Sequence, residues 1–69
     1  MTDLTITVNG ESRRVRGPAT LLDLLAQLDL DARTVVVELN REIVRRPRLG
    51  QTSLAPGDQV ELVHFVGGG

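Results

Sequence analysis

The sequence predicts a small α+β domain in which one main helix packs against a mixed β-sheet of four to five strands. Three observations predict it. Apolar and polar residues alternate in separate segments, a leucine stripe with helical spacing lies between two of them, and turn-forming residues divide them. A chain of 69 residues has room for one domain, and at this length only about 60% of the unfolded chain's surface becomes buried. We therefore expect a simple fold with one core.

The first two predicted strands form a hairpin. Residues 4–8 alternate between aliphatic side chains and threonines, as in a strand with one buried face. Asn9 and Gly10 follow, and this pair is a strong hairpin signal because both central residues of a type I′ turn need positive φ. Residues 11–15 should therefore return antiparallel. Pro18 then ends the pairing, since proline has no backbone N–H to donate.

One amphipathic helix is predicted after this hairpin. Thr20 can cap it, with Asp23 three residues later as the partner in a capping box. An apolar stripe at positions i, i+3, i+4 and i+7 must pack against the sheet. Its members are Leu21, Leu24, Leu25 and Leu28. Residues 29–33 should form a polar connector.

The second half of the chain returns to the period of a strand. Residues 35–39 are the third strand, and a two-residue turn leads to a short strand at 43–44. Residues 49–54 are predicted to be a loop with two apolar anchors. A Pro-Gly turn precedes the last strand, which begins at 60 and ends at 65 or 66.

This order of elements predicts a β-grasp, or ubiquitin-like, roll. The order is strand, strand, helix, strand, short strand, strand, with a right-handed crossover through the helix. The first and last strands should lie side by side and parallel at the centre of the sheet. We expect residues 1–66 to form this domain and residues 67–69 to form a flexible glycine tail.

The composition excludes most kinds of site. The chain has no Cys. All eight of its Lys or Arg residues are Arg, so it has no Lys, and His64 is its single His. Thiolate chemistry, a Schiff base and a Lys-containing phosphate loop are therefore impossible. We expect no enzymatic activity, no metal and no bound cofactor.

Composition also restricts the partners. Phe65 is the only aromatic residue and the net charge is -1, which argues against nucleic-acid binding. Since no basic leader or long apolar run is visible, we expect a cytoplasmic protein without membrane contact.

The arginines form two clusters along the sequence. The first holds Arg13, Arg14 and Arg16, and the second holds Arg41, Arg45, Arg46 and Arg48. Two interpretations are open. The clusters are solvated surface charges balanced by glutamates, or they steer association toward an acidic partner, which raises the association rate more than the affinity.

The sequence ends in Gly67, Gly68 and Gly69, directly after the last predicted strand. This end is either a frayed tail without a role or a chemical handle. A terminal carboxylate is ionised and a poor electrophile at neutral pH, so acyl transfer from it needs activation, typically as an acyl-adenylate. Glycine has no Cβ to crowd the carbonyl, and it lets a tail enter a narrow channel. Because the chain has no thiol, sulfur could be carried only as a thiocarboxylate at Gly69.

At this point the chain resembles the ThiS family of sulfur carrier proteins, over essentially its full length. The resemblance lies in Gly17, Thr20, residues 21–25, 37–44 and 56–61, and the terminal Gly68-Gly69. It implies that an E1-like adenylyltransferase, ThiF, adenylates Gly69 with ATP, while Gly67 and Gly68 thread the partner's active site. Sulfur from a cysteine desulfurase pathway would then form the thiocarboxylate, and the thiazole synthase ThiG would receive it to make the thiazole of thiamin.

Sheet periodicity predicts a docking surface beside this tail. If residues 60 and 62 face the core, Val63 and Phe65 face outward, and large apolar side chains at a surface often mark an interface. Ordinary sheet packing with a register altered by a bulge is the other interpretation. Two other functions remain open: a sulfur carrier for molybdopterin or tRNA thiolation, and a non-reactive ubiquitin-like interaction module.

Overall fold

The computed structural model describes residues 2–64, and it confirms the predicted order of elements. These are β1 (Thr2–Val8), β2 (Glu11–Gly17), α1 (Leu21–Gln27), β3 (Val35–Leu39), β4 (Glu42–Val44) and β5 (Gln59–His64). The five strands form one sheet in the order β2-β1-β5-β3-β4, with β1 and β5 parallel at its centre. The expected end of β5 at residue 65 or 66 lies outside the described residues. Among those described, no helix is long and apolar enough to cross a membrane.

The β1–β2 hairpin has the predicted turn. Asn9 has φ 51° and Gly10 has φ 83°, so both central residues lie in the left-handed region that a type I′ turn requires. Pairing continues from Val8 opposite Glu11 to Thr2 opposite Gly17. β2 is thus two residues longer than predicted, because Pro18 is the first residue that cannot donate to the ladder.

The helix begins and packs as the sequence predicts. The Asp23 N–H donates to Thr20 Oγ1 at 3.1 Å, and the Thr20 N–H donates to the Asp23 carboxylate at 2.9 Å. This reciprocal capping box satisfies two N–H groups that a helix start leaves unpaired. Three leucines of the stripe are buried and the fourth is partly buried against them; they are Leu21, Leu24, Leu25 and Leu28.

The core lies between α1 and one face of the sheet, and its buried side chains are all aliphatic. It consists of Leu4, Ile6, Val8, Val15, Ala19, Leu21, Leu24, Leu25, Val35, Val37, Leu49, Leu54 and Val60. No polar side chain is buried within residues 3–64. Burial of aliphatic surface therefore holds the domain together, without a buried polar network.

The structure has two short 3₁₀ helices where the sequence predicts connectors. The first spans Ala32–Thr34 and the second spans Arg46–Gln51, so the predicted loop at 49–54 is wrong in its first half. Pro47 lies in the first turn of the second helix, where a missing N–H costs nothing. The two predicted apolar anchors are nevertheless correct, because Leu49 and Leu54 are both buried.

Two asparagines with positive φ hold β5 from opposite sides. The Asn9 side chain accepts from the Leu62 N–H at 2.8 Å and donates to the Leu62 carbonyl at 3.3 Å. Asn40, with φ 50°, accepts from the Gln59 N–H at 2.9 Å through its side chain. β1 and β5 pair directly only at Thr7–Gln59 and Val8–Val60. The Asn9 amide therefore continues the ladder beyond the end of β1.

Replacing Asn9 with Ala is expected to lower the free energy of unfolding by about 2 kcal/mol. The variant loses two hydrogen bonds to β5 and places an Ala at a positive φ, which Asn tolerates better. Asn9→Gly separates the two effects, since Gly accepts the φ but lacks the amide; a loss of about 1 kcal/mol is expected for it. Urea unfolding measures both values, and a wild-type stability for Asn9→Ala would contradict the role of the amide.

Candidate functional site: the end of β5

β5 carries the chain toward the predicted reactive tail. It lies between β1 and β3, and its last described residue, His64, is opposite Val35, the first residue of β3. His64 is exposed, in keeping with a surface residue. Four predicted site residues lie outside the described part of the chain: Phe65, Gly67, Gly68 and Gly69.

The described part of β5 has the predicted alternation. Val60 is 1% exposed and Leu62 is partly buried against the core, whereas Val63 is 56% exposed on the opposite, open face of the sheet. The β3–β5 pairs run without interruption from Val35–His64 to Leu39–Val60. No bulge alters the register of residues 60–64, so the outward orientation of Val63 is confirmed.

Val63 belongs to a group of apolar side chains on the open face, which we call the open-face patch and define as Val36, Ile43 and Val63. Val36 lies directly opposite Val63 on β3. Ile43 on β4 is 61% exposed and pairs with Glu38, which places it diagonal to Val36. Val63 and Ile43 are exposed and Val36 is half-buried between them. Aliphatic side chains grouped at a surface often mark a site that another protein covers.

The two arginine clusters lie at opposite edges of the sheet. The first cluster is on the edge strand β2. In the second, Arg41 lies in the turn before the edge strand β4, and the other three arginines follow the end of that strand. All seven side chains are exposed: Arg13, Arg14, Arg16, Arg41, Arg45, Arg46 and Arg48. Charged side chains on edge strands discourage pairing with other chains, which accounts for part of their placement.

Two surface grooves lie near the end of β5, one lined by Leu62 and His64 of that strand and one lined by residues of the neighbouring strand β3. One, of about 310 Å³, lies on the helix side beside Leu28, Leu62 and His64, and its rim carries both Glu11 and Arg13. These opposite charges give it no preference for the sign of a ligand. Within residues 2–64, no three His, Asp or Glu side chains are grouped so that they could hold a metal ion.

The other groove, of about 240 Å³, lies at the β4 edge, and we call it the basic groove. Arg33, Arg45 and Arg46 line it. Its apolar lining comes from both sides of the sheet edge: Ala32, Val35, Val36, Val37, Ile43, Val44 and Leu49. Val36 and Ile43 also belong to the open-face patch, so the two surfaces are continuous.

Arg33 already has an anionic partner. Its Nη2 lies 2.9 Å from Asp31 Oδ2, and this is the single salt bridge among residues 2–64. The Arg33 side chain, helped by the Arg33 backbone N–H, lowers the pKa of Asp31 from 3.8 to about 2. Arg45 and Arg46 have no carboxylate within 4.0 Å in the described structure.

This salt bridge predicts a pH effect. Because the folded pKa of Asp31 is below its ordinary 3.8, the stabilisation by the pair is fully present above about pH 4 and is lost as the pH falls through about 2. Arg33→Ala should raise the Asp31 pKa toward 3.8, while the remaining backbone hydrogen bond keeps part of the shift. Carboxyl chemical shifts followed by NMR measure both values. An unshifted Asp31 in the wild-type chain would contradict the geometry.

A family comparison agrees with this architecture. The model of the ThiS family matches residues 6–69. The chain belongs to the ThiS family. For this ThiS-family chain, the match includes residues 67–69 as well as the folded domain, and it confirms the resemblance drawn from the sequence.

Curated relatives include a protein named as a sulfur carrier and longer proteins named as thiazole synthases. The sulfur carrier protein ThiS of Bacillus subtilis is 46% identical over 50 residues, which cover 72% of this chain and 76% of that protein. The thiazole synthases of Paramagnetospirillum magneticum and Magnetococcus marinus are each 39% identical over 66 residues. Those matches cover 96% of this chain and 20% of each synthase, so the chain spans about a fifth of the length of these relatives.

A solved structure confirms the fold of this ThiS-family chain. The crystal structure of the thiamine biosynthesis protein ThiS from Geobacter metallireducens superimposes with a TM-score of 0.81 at 38% identity. The superposition covers 96% of this chain and 100% of that one. The solution structure of a thiamine biosynthesis protein from the same organism gives a TM-score of 0.79. The β-grasp prediction is therefore correct.

The sequence predicted Val63 as a surface residue and missed its neighbours. Val36 and Ile43 are distant from it in sequence and become adjacent through strand pairing. Arg33, predicted only as part of a connector, lies in the groove with Arg45 and Arg46. The alternating period of residues 35–39 predicted Val36 on the face opposite Val35 and Val37, and its pairing with Val63 confirms this. No local signal indicates that Val36 lies beside Val63 or that the groove exists.

Proposed function

We propose that this chain is a sulfur carrier of thiamin biosynthesis and that Gly69 carries the sulfur as a thiocarboxylate. One observation carries the proposal: the ThiS family match extends through residue 69 and so includes the three glycines. The 46% identity to the Bacillus subtilis sulfur carrier supports it. The folded domain then presents the tail, and the chain is a co-substrate rather than an enzyme.

The chemistry follows from the weakness of a carboxylate as an electrophile. A ThiF-like adenylyltransferase would bring the Gly69 carboxylate to ATP, where its oxygen attacks the α-phosphorus and pyrophosphate leaves. The resulting acyl-adenylate has a good leaving group, and the terminal sulfur of a persulfide formed by a cysteine desulfurase displaces AMP to give an acyl disulfide. A thiol reductant then cleaves the S–S bond and releases the thiocarboxylate, while the thiol is oxidised to a disulfide. Gly67 and Gly68 would thread the active site, because residues without Cβ pass a narrow channel. Since ATP is consumed, we propose a cytoplasmic location.

The sulfur acceptor is proposed to be a ThiG-like thiazole synthase. In the relatives named thiazole synthase, a segment similar to this chain occupies about a fifth of one longer polypeptide. A carrier segment joined to a synthase has a high effective concentration at its acceptor. This arrangement supports a direct interaction between the present chain and a separate synthase.

Intact-mass measurement tests the proposal. The chain is incubated with ATP, a ThiF-like enzyme, a cysteine desulfurase, cysteine and a thiol reductant. We expect a mass gain equal to the exchange of one oxygen for sulfur, localised to Gly69 by fragmentation and dependent on ATP. An unmodified chain in the presence of its cognate activating enzyme would refute the proposal.

Val63 and Phe65 are proposed to dock the activating enzyme beside the tail. Val63→Ala removes an exposed apolar contact, and we expect the KM for the chain in adenylation to rise about 5-fold with kcat unchanged. Phe65→Ala is expected to act in the same direction. Leu22→Ala is the matched control, because Leu22 is 46% exposed but lies on the helix. Equal KM values for Val63→Ala and wild type would argue against docking at this position.

A further inference from the structure

Resting on the proposed role of the tail, we propose that the basic groove binds an acidic, extended segment of the enzyme that activates the tail. Three observations on residues 2–64 carry it: a short stretch of β3 edge that no described strand pairs with, two arginines with no described carboxylate within 4.0 Å, and the position of both near His64, the last described residue before the tail. None of them belongs to the tail itself.

The first observation is a notch in the sheet edge. β4 pairs with β3 only from Val37 to Leu39, whereas β3 begins at Val35. Val35 and Val36 pair with β5 on one side, and no described strand pairs with them on the other. The chain leaves this edge at Arg45 and enters a 3₁₀ helix. Because successive residues of a strand direct their backbone groups to opposite sides, one of Val35 and Val36 has its N–H and C=O facing the notch. These groups can bind one residue of an extended segment by strand addition.

The second observation is charge. Three guanidinium groups line the groove, and Asp31 neutralises that of Arg33. Arg45 and Arg46 remain exposed, with no carboxylate within salt-bridge distance among residues 2–64. Arg46 is near enough to Asp31 to add a small coulombic lowering of the pKa of that carboxyl, so Arg45 is the less compensated of the two. Arginine binds carboxylates through two parallel hydrogen bonds, which favours an aspartate- or glutamate-containing segment. The aliphatic lining beneath them suits an apolar residue between the acidic ones.

The third observation is position. Val35 lies opposite His64, and Val36 lies opposite Val63, so the notch is one strand away from the end of β5. Neighbouring strands lie only about 4.8 Å apart. Residues 65–69 follow His64 directly and span at most about 17 Å when extended, so an enzyme that takes them up lies near this end of the sheet. Its contact with the open-face patch would extend into the basic groove through Val36 and Ile43, which line both.

The other edge of the sheet provides a matched control. Arg14 and Arg16 on β2 are also exposed, and β1 separates β2 from β5. Reversing two charges at either edge changes the net charge of the chain by the same amount. A difference between the two double variants therefore reports position rather than overall charge.

Titration calorimetry of the intact chain with the activating enzyme, without ATP and at two salt concentrations, tests the inference. We expect R45E/R46E to raise the dissociation constant about 10-fold or more at low salt and to flatten its salt dependence. R14E/R16E is expected to change it much less. Urea unfolding of both variants verifies that each is folded. Equal effects of the two pairs, or no effect of R45E/R46E, would overturn the inference.

Intact-mass measurement on the same samples separates this inference from the proposed function. If the wild-type chain acquires sulfur but binds independently of Arg45 and Arg46, the groove has no such role and the carrier function stands. If the wild-type chain binds through these arginines and acquires no sulfur, the groove inference stands and the carrier function fails. Absence of binding by the wild-type chain overturns the groove inference, and the mass measurement alone decides the carrier function.

Discussion

Deleting Gly68 and Gly69 is expected to abolish thiocarboxylate formation. The truncated chain still ends in a glycine carboxylate. In an extended tail, however, the loss of two residues draws this carboxylate back by up to about 7 Å. Since a displacement of 1 Å can reduce a rate about 100-fold, adenylation should fall below detection. Intact mass after incubation with ATP, the activating enzyme and the sulfur donor measures the result.

The truncation should leave the folded domain intact, which provides its control. All thirteen buried core residues lie between Leu4 and Val60. We therefore expect the same urea midpoint as for the full chain. The truncated chain also keeps Val63 and Phe65, so it should compete with the full chain for the activating enzyme. Continued sulfur incorporation by the truncated chain would show that Gly69 is not the handle.

Leu24→Ala is expected to lower the free energy of unfolding by about 3 kcal/mol. Leu24 is 1% exposed at the centre of the helix stripe, so the substitution leaves a cavity that the surrounding aliphatic side chains fill only partly. Small domains have a total stability of about 5 to 15 kcal/mol, so this loss is a large fraction of the whole. Urea unfolding measures it.

Leu22→Ala is the matched control for the core prediction. The same two residue types are exchanged in the same helix, but Leu22 is 46% exposed. Its replacement should cost less than about 1 kcal/mol, since little apolar surface returns to water. Comparable losses for the two variants would show that the helix packs differently from the structure.

Local chemistry accounts for what the sequence predicted well. A type I′ turn depends on two adjacent residues, so Asn9-Gly10 sufficed to predict the hairpin. The capping box depends on Thr20 and Asp23 alone. The 3₁₀ helices were missed because such short helices have too few residues to show a period.

Contacts between distant segments account for what the sequence could not predict. Asn9 is 53 residues from Leu62, yet its side chain binds both backbone groups of that residue. An asparagine beside a glycine is fully explained by the turn, so nothing in the local pattern indicates this second role. Arg33 is in the connector before β3, whereas Arg45 and Arg46 follow β4. The three side chains line one groove only because β3 and β4 pair.

By itself, the sequence determined the five strands and the main helix, the buried faces of β1, β3, β5 and that helix, the β-grasp order and the resemblance to sulfur carriers. Each of these follows from residue type and spacing over a few positions, or from order along the chain. Only the tertiary structure decided which surfaces adjoin the end of β5. The open-face patch and the basic groove are produced by register between strands, and register depends on the packing of the whole sheet.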